Sequence, residues 1–577
     1  MKKKKLKLIT GLSVLTLVII LTALSGVTVA QAASKKSKEP EPTLRKESVT
    51  LYVGWEPYEI FIDDLDEEAT VTYKSTAPEV ASVDEEGVVY PGKKGTATIK
   101  VTVKVPGVGK YKLKLAVKVK KPDYTVTDYT DAITTNGSYI FTLKRHGYDG
   151  EVSWFLRGSQ FANIEAVGAT DCIIRGKAVG DVTLSVTSNN KTTFFDIHVY
   201  EGTGTAFRIT EQKDPYNGNY MTRGDYNKYT RDYYVVRSYL ERLASLGGGM
   251  LIFSKGTYTI TNTLCIPSNT TILIEDGARI VKTDYTGSNW LNATQSLFQT
   301  VSYFHTTNKF TEYNGEHDIT IKGEGSACID LNFVKCTALV ACHCERLYVE
   351  GVAFKNLNSL HFIELDASRD VHITNNLFSG CVESPTQRKE AINLDTPDVN
   401  TGGFSQDWTS YDCTPDLDVW ITGNVFENLE TAIGTHKYTE GKYHTNIFIE
   451  FNTFVDVTSY VIRMMNWKDS VISGNYFLLN DLPEDTKTVN AVVLNGAINP
   501  TVTANYFRNF TTAITAAHWK NKGLGKEYEE TDNDIKASNI RAMRKNEVVD
   551  CVNDYFEVYR MFGDTSEESL MTYKFYN

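Results

Sequence analysis

The sequence predicts an all-β protein in which two small β-sandwiches precede one long parallel β-helix. Three observations lead to this prediction. The chain is rich in Tyr (33) and Gly (40) and poor in Pro (14), a composition that favours sheets. Short alternating strands separated by turn residues fill residues 46–201. Beyond them, an aromatic residue recurs two positions after an Asn or similar residue, at intervals that suit the coil of a parallel β-helix.

Residues 1–32 have the pattern of a secretory signal peptide. A basic MKKKKLK stretch is followed by an uncharged apolar run and a small-residue cleavage site at Ala30-Gln31-Ala32. The uncharged run is long enough to span a bilayer, so retention as a membrane anchor is the alternative. We predict an extracellular protein, secreted or at the cell surface and exported by the Sec pathway, with the N-terminus as a route to wall or membrane association. Residues 33–45, which include KKSKEPEP, are predicted to be a solvated linker.

Residues 46–121 show the short strands of a β-sandwich, and residues 72–101 resemble the group-2 bacterial immunoglobulin-like domain. The pattern S-x-x-P-x-V-A-x-V-D-x-x-G of that family is matched by Ser75, Pro78, Val80, Ala81, Val83, Asp84 and Gly87. Residues 122–201 are interpreted as a second, more divergent immunoglobulin-like sandwich, because they contain the strand VSWFL around Trp154 and then GKAVGDVTLSVTS at 176–188. Both domains are interpreted as spacers rather than as sites.

Residues 225–246 are predicted to form an amphipathic helix that is ended by Gly247-Gly248-Gly249. Its apolar stripe consists of Tyr229, Tyr233, Val236, Leu240 and Leu243. The succession of helix, triple glycine and short strands through residue 280 resembles the N-terminal cap and first coils of the pectate-lyase-like right-handed parallel β-helix superfamily. This resemblance implies a β-helix over residues 202–520 whose open end the helix covers.

The repeat is clearest after residue 350. Phe354, Phe378, Phe426, Phe454, Phe477 and Phe507 are separated by 24, 48, 28, 23 and 30 residues. Asn376, Asn424, Asn452, Asn475 and Asn505 are predicted to stack as a ladder at a tight turn. The step of 48 indicates an insertion at Pro397–Leu417, predicted to form one wall of a groove and to be dispensable for folding.

Residues 521–577 are predicted to be a C-terminal helical cap, because their apolar residues recur at helical spacing. The stripe consists of Val548, Val552, Tyr555, Tyr559 and Phe562.

One pattern returns four times between residues 361 and 467, as HFIELD, EAINLD, TAIGTHK and YVIRMMNW. Aligned on the Ile of each copy, the copies form neighbouring strands with polar side chains on the outer face. One column then holds Glu364, Asn393, Gly434 and Arg463, and the next holds Asp366, Asp395, His436 and Met465. Polar residues are usual on an outer face, so a bland solvated surface is the alternative to a site.

The spacing of these columns predicts acid–base chemistry. Asp366 and Asp395 would lie about 5 Å apart, as in a retaining glycosidase or two ligands of one cation. Glu364 and Asp395 would lie on a diagonal of about 8 Å, as in an inverting glycosidase. His436, the next residue in the second column, is predicted to orient a reacting group or to donate a proton to it. The predicted substrate-binding residues are Arg463, Lys437, Asn393, Glu390 and Trp467, with an ion pair as the alternative for Glu390 and core packing for Trp467.

The order of these residues also resembles the polygalacturonase family, whose motifs are N-T-D, D-D, G-H-G and R-I-K. They are echoed in Asn393-Leu394-Asp395, Gly434-Thr435-His436 and Ile462-Arg463-Met464. The second Asp of the D-D pair is missing, and Met465 stands in place of the Lys of R-I-K. The resemblance implies a polysaccharide substrate.

Three classes of function stay open: a glycoside hydrolase, a polysaccharide lyase, or a non-catalytic glycan-binding adhesin. We favour the hydrolase, with a polysaccharide substrate that could include uronates. No metal or cofactor is expected, except calcium for a lyase, and a monomer is expected. The net charge of −11 and the lack of a basic arm argue against nucleic acid.

The nine cysteines are scattered and odd in number, which argues against a simple disulfide framework, and their disulfide state stays open. Cys342 and Cys344 resemble a metal clip only at first sight and are predicted to be buried thiols. His317, His343 and His372 are assigned structural roles.

Overall fold

The computed structural model describes residues 41–147, 151–383, 389–482, 488–520, 530–561 and 568–576. The chain divides into two compact units, Met1–Lys121 and Pro122–Asn577. The predicted signal peptide and residues 33–40 of the predicted linker lie outside the described residues. Within the described ranges, no helix is both long enough and apolar enough to cross a membrane.

The first unit is a β-sandwich whose core includes Ile99, Val101, Leu115 and Val117. Its strands are Thr43–Leu44, Ser48–Tyr52, Tyr58–Glu59, Ile62–Asp63, Thr70–Ser75, Ala81–Val83, Val88–Pro91, Gly95–Val105 and Gly109–Lys120. The predicted linker is wrong at its C-terminal end. Thr43–Leu44 pairs antiparallel with Ile62–Asp63, because Leu44 packs against the core of the sandwich.

The second unit begins with the predicted second sandwich, which consists of two four-stranded sheets. One sheet contains Asp123–Asp128, Ser138–His146, Asp171–Gly176 and Ala162–Val167, and the other contains Ala132–Thr134, Lys191–Tyr200, Gly180–Ser188 and Ser153–Arg157. The side chains between the sheets include Phe141, Ile174 and Leu184. Trp154 is only partly buried and packs against this core rather than at its centre.

The right-handed parallel β-helix follows, and each coil contributes strands to three faces. The strands of the first face are Thr205–Ile209, Gly249–Phe253, Thr270–Ile274, His317–Gly323, Glu345–Glu350, Arg369–Thr374, Leu417–Thr422, His444–Glu450 with Trp467–Lys468, Val471–Ser473 and Thr501–Thr503. Neighbouring strands of this face pair in parallel, so the residues of successive coils form straight columns.

The second and third faces form one continuous sheet because two strands bend from one face into the other. These are Val425–Gly434 and Thr453–Met465. The other strands of the second face are Gly256–Ile260, Ala278–Lys282, Cys328–Asp330, Ala353–Asn358, Leu377–Val382, Tyr476–Leu478, Tyr506–Arg508 and Glu547–Val549. Those of the third face are Leu264–Cys265, Ser296–Gln299, Thr337–Cys342, Ile363–Asp366, Glu390–Asp395, Asn490–Asn495, Thr512–Ala516, Tyr555–Met561 and Glu568–Lys574. A short antiparallel pair, Trp519–Lys520 with Glu530–Thr531, stands apart.

The predicted Asn ladder is confirmed, and it continues to Asn546. In each step the side-chain oxygen of one Asn accepts hydrogen bonds from the backbone N–H and the side-chain amide of the Asn before it, as between Asn424 and Asn452 at 2.9 and 3.0 Å. The Phe residues two positions on stack beside the ladder, with Phe454 and Phe477 centroids 4.8 Å apart.

The turn before each of the first five ladder Asn residues has a left-handed backbone. The residues at that position have φ between 55° and 67°, and they are Asn375, Gly423, Phe451, Gly474 and Ala504. A left-handed Phe or Ala carries a conformational cost. The ladder offsets this cost because it satisfies buried polar groups that the turn would otherwise leave unbonded.

The N-terminal cap is a helix as predicted, but it begins later. A short 3₁₀ helix at Gly218–Thr222 precedes the α-helix Arg231–Leu246, and Gly247 ends the helix with a φ of 81°. Tyr229 therefore lies before the helix and is exposed, whereas Val236, Leu240 and Leu243 cover the first coils.

The C-terminal cap differs from the prediction. Its one described helix is Ala537–Met543, and the stripe predicted to be helical lies mainly in strands, while Phe562 lies outside the described residues. Tyr555–Met561 and Glu568–Lys574 pair antiparallel. Helical spacing and strand alternation overlap in this short stretch. The parallel pairing of Val558 with Ala516 in the previous coil explains why this stretch forms a strand and not a helix.

All nine cysteines lie in the described ranges as free thiols, and six of them are buried. Cys342 and Cys344 are fully buried. His343 donates a hydrogen bond from Nδ1 to the backbone carbonyl of Glu312, and its Nε2 lies 2.7 Å from the Thr409 hydroxyl.

Replacing Asn452 with Ala tests the ladder. We expect the free energy of unfolding to fall by about 3 kcal/mol, because the buried amides of Asn424 and Asn475 lose a partner. Asn308→Ala, at an exposed position, is the control and should change stability by less than about 0.5 kcal/mol. Urea denaturation followed by circular dichroism measures both. Equal stability of the two variants would contradict a stabilising ladder.

Candidate functional site

The polar columns lie on the third face in the register that the sequence predicts. Ile363 pairs with Ile392, Glu364 with Asn393 and Asp366 with Asp395. The register continues as Asn393 pairs with Gly434 and Gly434 with Arg463. Residues from four coils, separated by up to 99 positions in the chain, therefore occupy one small area.

This area is not the solvated surface that the sequence left as the alternative to a site. The insertion at residues 397–417 folds over it, and Phe404 and Trp408 are each 3% exposed. They pack on Val340 and Cys342, which belong to the same two columns one coil before Glu364 and Asp366. The insertion is therefore an integral cover. Replacing the insertion with a short turn would remove Phe404 and Trp408 and expose Val340 and Cys342 to solvent. The expectation that the insertion is dispensable for folding is therefore wrong.

A cavity of about 310 Å³ remains between the insertion and the third face. The insertion lines one side of the cavity, as predicted, through Gly402, Gly403, Ser405 and Gln406. The chemically active side chains that line it are Glu364, Asp395, His361, His436, Lys389 and Lys437.

Glu364 and Asp395 are held in different ways. Burial, and then the charge of Asp395, raises the pKa of Glu364 to about 7, so Glu364 is poised to carry a proton near neutral pH. Asp395 accepts hydrogen bonds at Oδ1 from the backbone N–H groups of His436 and Lys437, at 3.1 and 2.9 Å. These two bonds fix the orientation of its carboxylate.

His436 connects the carboxylates. Its Nδ1 lies 2.9 Å from Asn393 Oδ1 and 3.2 Å from Glu390 Oε2, and its Nε2 lies 3.5 Å from Asp395 Oδ2. Burial lowers the pKa of His436, but Asp395 and Glu390 outweigh it and the net shift is upward. Glu390 is fully buried and also accepts a hydrogen bond from the Tyr460 hydroxyl at 2.9 Å. Its pKa is depressed despite burial, chiefly by the charge of His436.

Asp366 is not part of the cavity. It is fully buried, and neither carboxylate oxygen has a hydrogen-bond partner among the described residues. Burial, and then the charges of Glu364 and Asp395, raises its pKa well above the ordinary value. Asp366 therefore lies beneath the site as a neutral acid. This placement argues against its predicted role as a second catalytic or calcium-binding carboxylate.

Arg463 and Trp467 lie away from the cavity. The Arg463 guanidinium stacks over Trp519 at 4.2 Å and its Nε donates to Asn495. Trp467 is fully buried and donates from Nε1 to Thr435 Oγ1 at 2.8 Å, so packing is its role and it has no free face for a sugar. Lys437 does line the cavity, and its Nζ donates to the Gly402 carbonyl in the insertion.

Sequence reasoning missed His361 and Tyr460. Both stand two positions before the aligned Ile of their repeats, in a third column that also holds Glu390 and Thr431. Strand alternation assigns this position to the core. The signal was present as a His, a Glu and a Tyr at one position of a four-fold repeat.

The geometry can be compared with known proteins. Residues 69–121 match the family of bacterial Ig-like domains. A curated relative, the plasmin and fibronectin-binding protein A of Streptococcus pneumoniae (strain ATCC BAA-255 / R6), is 25% identical over 257 residues, or 40% of this chain. The chain spans only 35% of the length of that relative.

Solved structures show more distant similarity. A structure of PfbA, a surface protein and adhesin of Streptococcus pneumoniae, is 20% identical, covers 60% of this chain and 89% of its own, and has a TM-score of 0.38. A family 28 exopolygalacturonase of Yersinia enterocolitica is 11% identical, covers 75% and 98%, and has a TM-score of 0.30. Similarities this distant assign no activity to the chain.

Asp366→Asn tests the buried neutral acid through the pH dependence of stability. The folded pKa of Asp366 lies above the value of about 3.9 in an unfolded chain. Stability contributed by the retained proton is present at low pH and is lost as pH rises above about 4. The Asn variant has no such proton. It should therefore gain stability relative to the parent protein between pH 5 and pH 7.5.

Urea midpoints of both proteins at the two pH values provide the measurement. Asp554→Asn, at an exposed carboxylate 3.7 Å from Lys574, is the control and should show no comparable pH-dependent gain. A stability difference between Asp366→Asn and the parent that does not change with pH would contradict the assignment.

Proposed function

We propose that the protein is a surface-exposed or secreted glycoside hydrolase that cleaves a polysaccharide in the cavity under the insertion. The observation that carries the proposal is the diagonal pair of Glu364 and Asp395 on the cavity wall. One member is protonated near neutral pH, and the other is fixed by backbone N–H groups. Two carboxyl groups in different environments supply an acid and a base.

In this mechanism Glu364 donates its proton to the glycosidic oxygen as the bond to the leaving sugar breaks. Asp395 removes a proton from a water molecule that attacks the anomeric carbon from the opposite side. The register places Glu364 and Asp395 one coil and two residues apart, which corresponds to about 8 Å between their backbones. Carboxyl groups at this separation leave room for the water and lead to inversion of the anomeric configuration.

The substrate class follows from the charges around the cavity. Lys389 and Lys437 line it, and neither cation is needed for proton transfer. A cation near a sugar site suits a carboxylate on the sugar ring. The small volume of about 310 Å³ suits one or two sugar residues, as in an enzyme that works from a chain end.

A second candidate function is binding without cleavage. The curated relative is named for plasmin and fibronectin binding, and the solved structures of PfbA are described as those of a surface adhesin. Under this alternative the chain is a surface protein whose β-helix binds a host protein or glycan. The signal peptide predicted at residues 1–32 is compatible with either candidate.

Asp395→Asn is the direct test of hydrolysis. On a polysaccharide that the parent cleaves, kcat/KM should fall by about two to four orders of magnitude, because the base is lost while its size is kept. Asp366→Asn is the matched control, one coil away and outside the cavity, and should keep most of the activity.

Reducing ends and the anomeric configuration of the product should be measured together with ultraviolet absorbance. An unsaturated product would indicate a lyase instead. Tight binding of glycans or host proteins with no turnover of any polysaccharide would favour the adhesin.

The pH profile tests the role of Glu364. An acid with a pKa of about 7 must be protonated to act, so kcat/KM should decline as pH rises above about 7. Glu364→Gln should remove most of the activity and this alkaline decline with it. An unchanged profile in the Gln variant would show that another group is the acid.

Lys389→Met tests the preference for an acidic sugar. The KM for a uronate polysaccharide should rise about tenfold or more, because a charged contact is lost, whereas a neutral analogue should be unaffected. Lys442→Met, at an exposed position outside the cavity, serves as the control. Equal effects on acidic and neutral substrates would contradict a uronate contact.

A further inference from the structure

His361, Glu390 and His436 form a compact group in the wall of the cavity. One ligand atom from each of the three lies within 4.8 Å of the others. His361 is 4% exposed, Glu390 is fully buried and the His436 side chain is 21% exposed. The group therefore combines two imidazoles and one carboxylate at the edge of a solvent-accessible space.

The carboxylate is only half satisfied. Glu390 Oε1 accepts a hydrogen bond from Tyr460, but Oε2 makes no hydrogen bond among the described residues, although it lies 3.2 Å from His436 Nδ1. A buried carboxylate oxygen without a donor is costly. This oxygen lies close to the His436 imidazole, and a ligand nitrogen of His361 belongs to the same group, so the arrangement points to a bound cation.

Each of the three side chains also makes a second contact with the protein that orients it as a ligand. His361 Nδ1 lies 2.6 Å from the backbone carbonyl of Glu390, so it carries the proton there and leaves Nε2 as a free ligand. His436 Nε2 faces Asp395 Oδ2 at 3.5 Å, which leaves Nδ1 toward Glu390. Second contacts of this kind, from a carbonyl, a carboxylate and a hydroxyl, are typical of metal-binding histidines and carboxylates.

We propose that His361 Nε2, Glu390 Oε2 and His436 Nδ1 bind a divalent transition-metal ion, with Zn²⁺ as the best match. Two imidazoles and one carboxylate are a known zinc ligand set, and three protein ligands leave a fourth position open. That position faces the cavity, which His361 and His436 line. Calcium and magnesium prefer oxygen ligands and should bind poorly.

The ion takes the place of a proton. In its absence His436 Nδ1 shares a hydrogen with Asn393 Oδ1 at 2.9 Å, and this hydrogen must leave when a metal binds. Asn393 then has a free carbonyl oxygen beside the site. The site goes beyond the proposed hydrolysis and does not depend on it, because neither the ligands nor their supporting contacts require a substrate.

The experiment uses the full mature chain, treated with chelator and titrated with ZnCl₂ alone in a calorimeter at pH 7.5. One saturable site should appear, with a Kd of about 1 µM or tighter. His361→Ala and Glu390→Gln should each weaken it by at least about 100-fold, and titration with CaCl₂ should show no saturable site. His317→Ala is the matched control. It removes a histidine 2.7 Å from Asp318 on the exposed surface and should leave the affinity unchanged.

Anomalous diffraction at the zinc edge from crystals of the parent chain keeps the test valid if a variant fails to fold. A peak between His361, Glu390 and His436 supports the site. A parent chain without saturable zinc binding, an unchanged affinity in His361→Ala, or a peak elsewhere would overturn it. None of these readouts uses a glycan, so failure of the hydrolase proposal leaves the result for zinc unaffected.

Discussion

From Asn376 to Asn546, each coil of the β-helix is tied to the next by an Asn side chain that bonds both the backbone and the amide of its neighbour. The Phe stack lies beside this ladder. Together they fix where each coil starts, and therefore which residues share a column. A slip of one residue would turn the polar column of the third face into the core.

The insertion after Glu390–Asp395 converts that ordered face into a site. Its aromatic residues cover Val340 and Cys342 and exclude water from part of the polar columns. What remains accessible is a small cavity lined by both acidic and basic groups. The β-helix thus supplies position, and the insertion supplies the low dielectric that makes electrostatic interactions strong.

Asp366 and Asp395 show how much local contacts matter. They are paired residues of the same type on adjacent coils. Asp395 receives two backbone N–H groups, because the chain turns after Gly434 and directs the amides of His436 and Lys437 toward it. Asp366 receives none. One is therefore suited to act as a base, while the other is held as a neutral acid.

His436 lies between the proposed hydrolytic pair and the proposed metal site, because its two nitrogens face different partners. Nε2 faces Asp395 and the hydrolytic pair, whereas Nδ1 faces Glu390 and the proposed metal site. In the proposed metal site, Nδ1 carries a proton when no metal ion is bound and loses this proton when the ion binds.

The sequence by itself determined the β-helix, its Asn ladder, the register of the polar columns and the position of the insertion. These follow from a repeat whose period is fixed by strand spacing, so that counting residues is enough. The helical prediction was wrong for the described part of the stripe, between Val548 and Tyr559, because pairing with the preceding coil outweighs local preference. Only the tertiary structure decided which polar residues form the site. Burial of Asp366 and Trp467, the contact of Arg463 with Trp519, and the approach of His361 to His436 all depend on segments distant in sequence. No local pattern records which segment will cover a face, because that depends on how the insertion folds back over the stack.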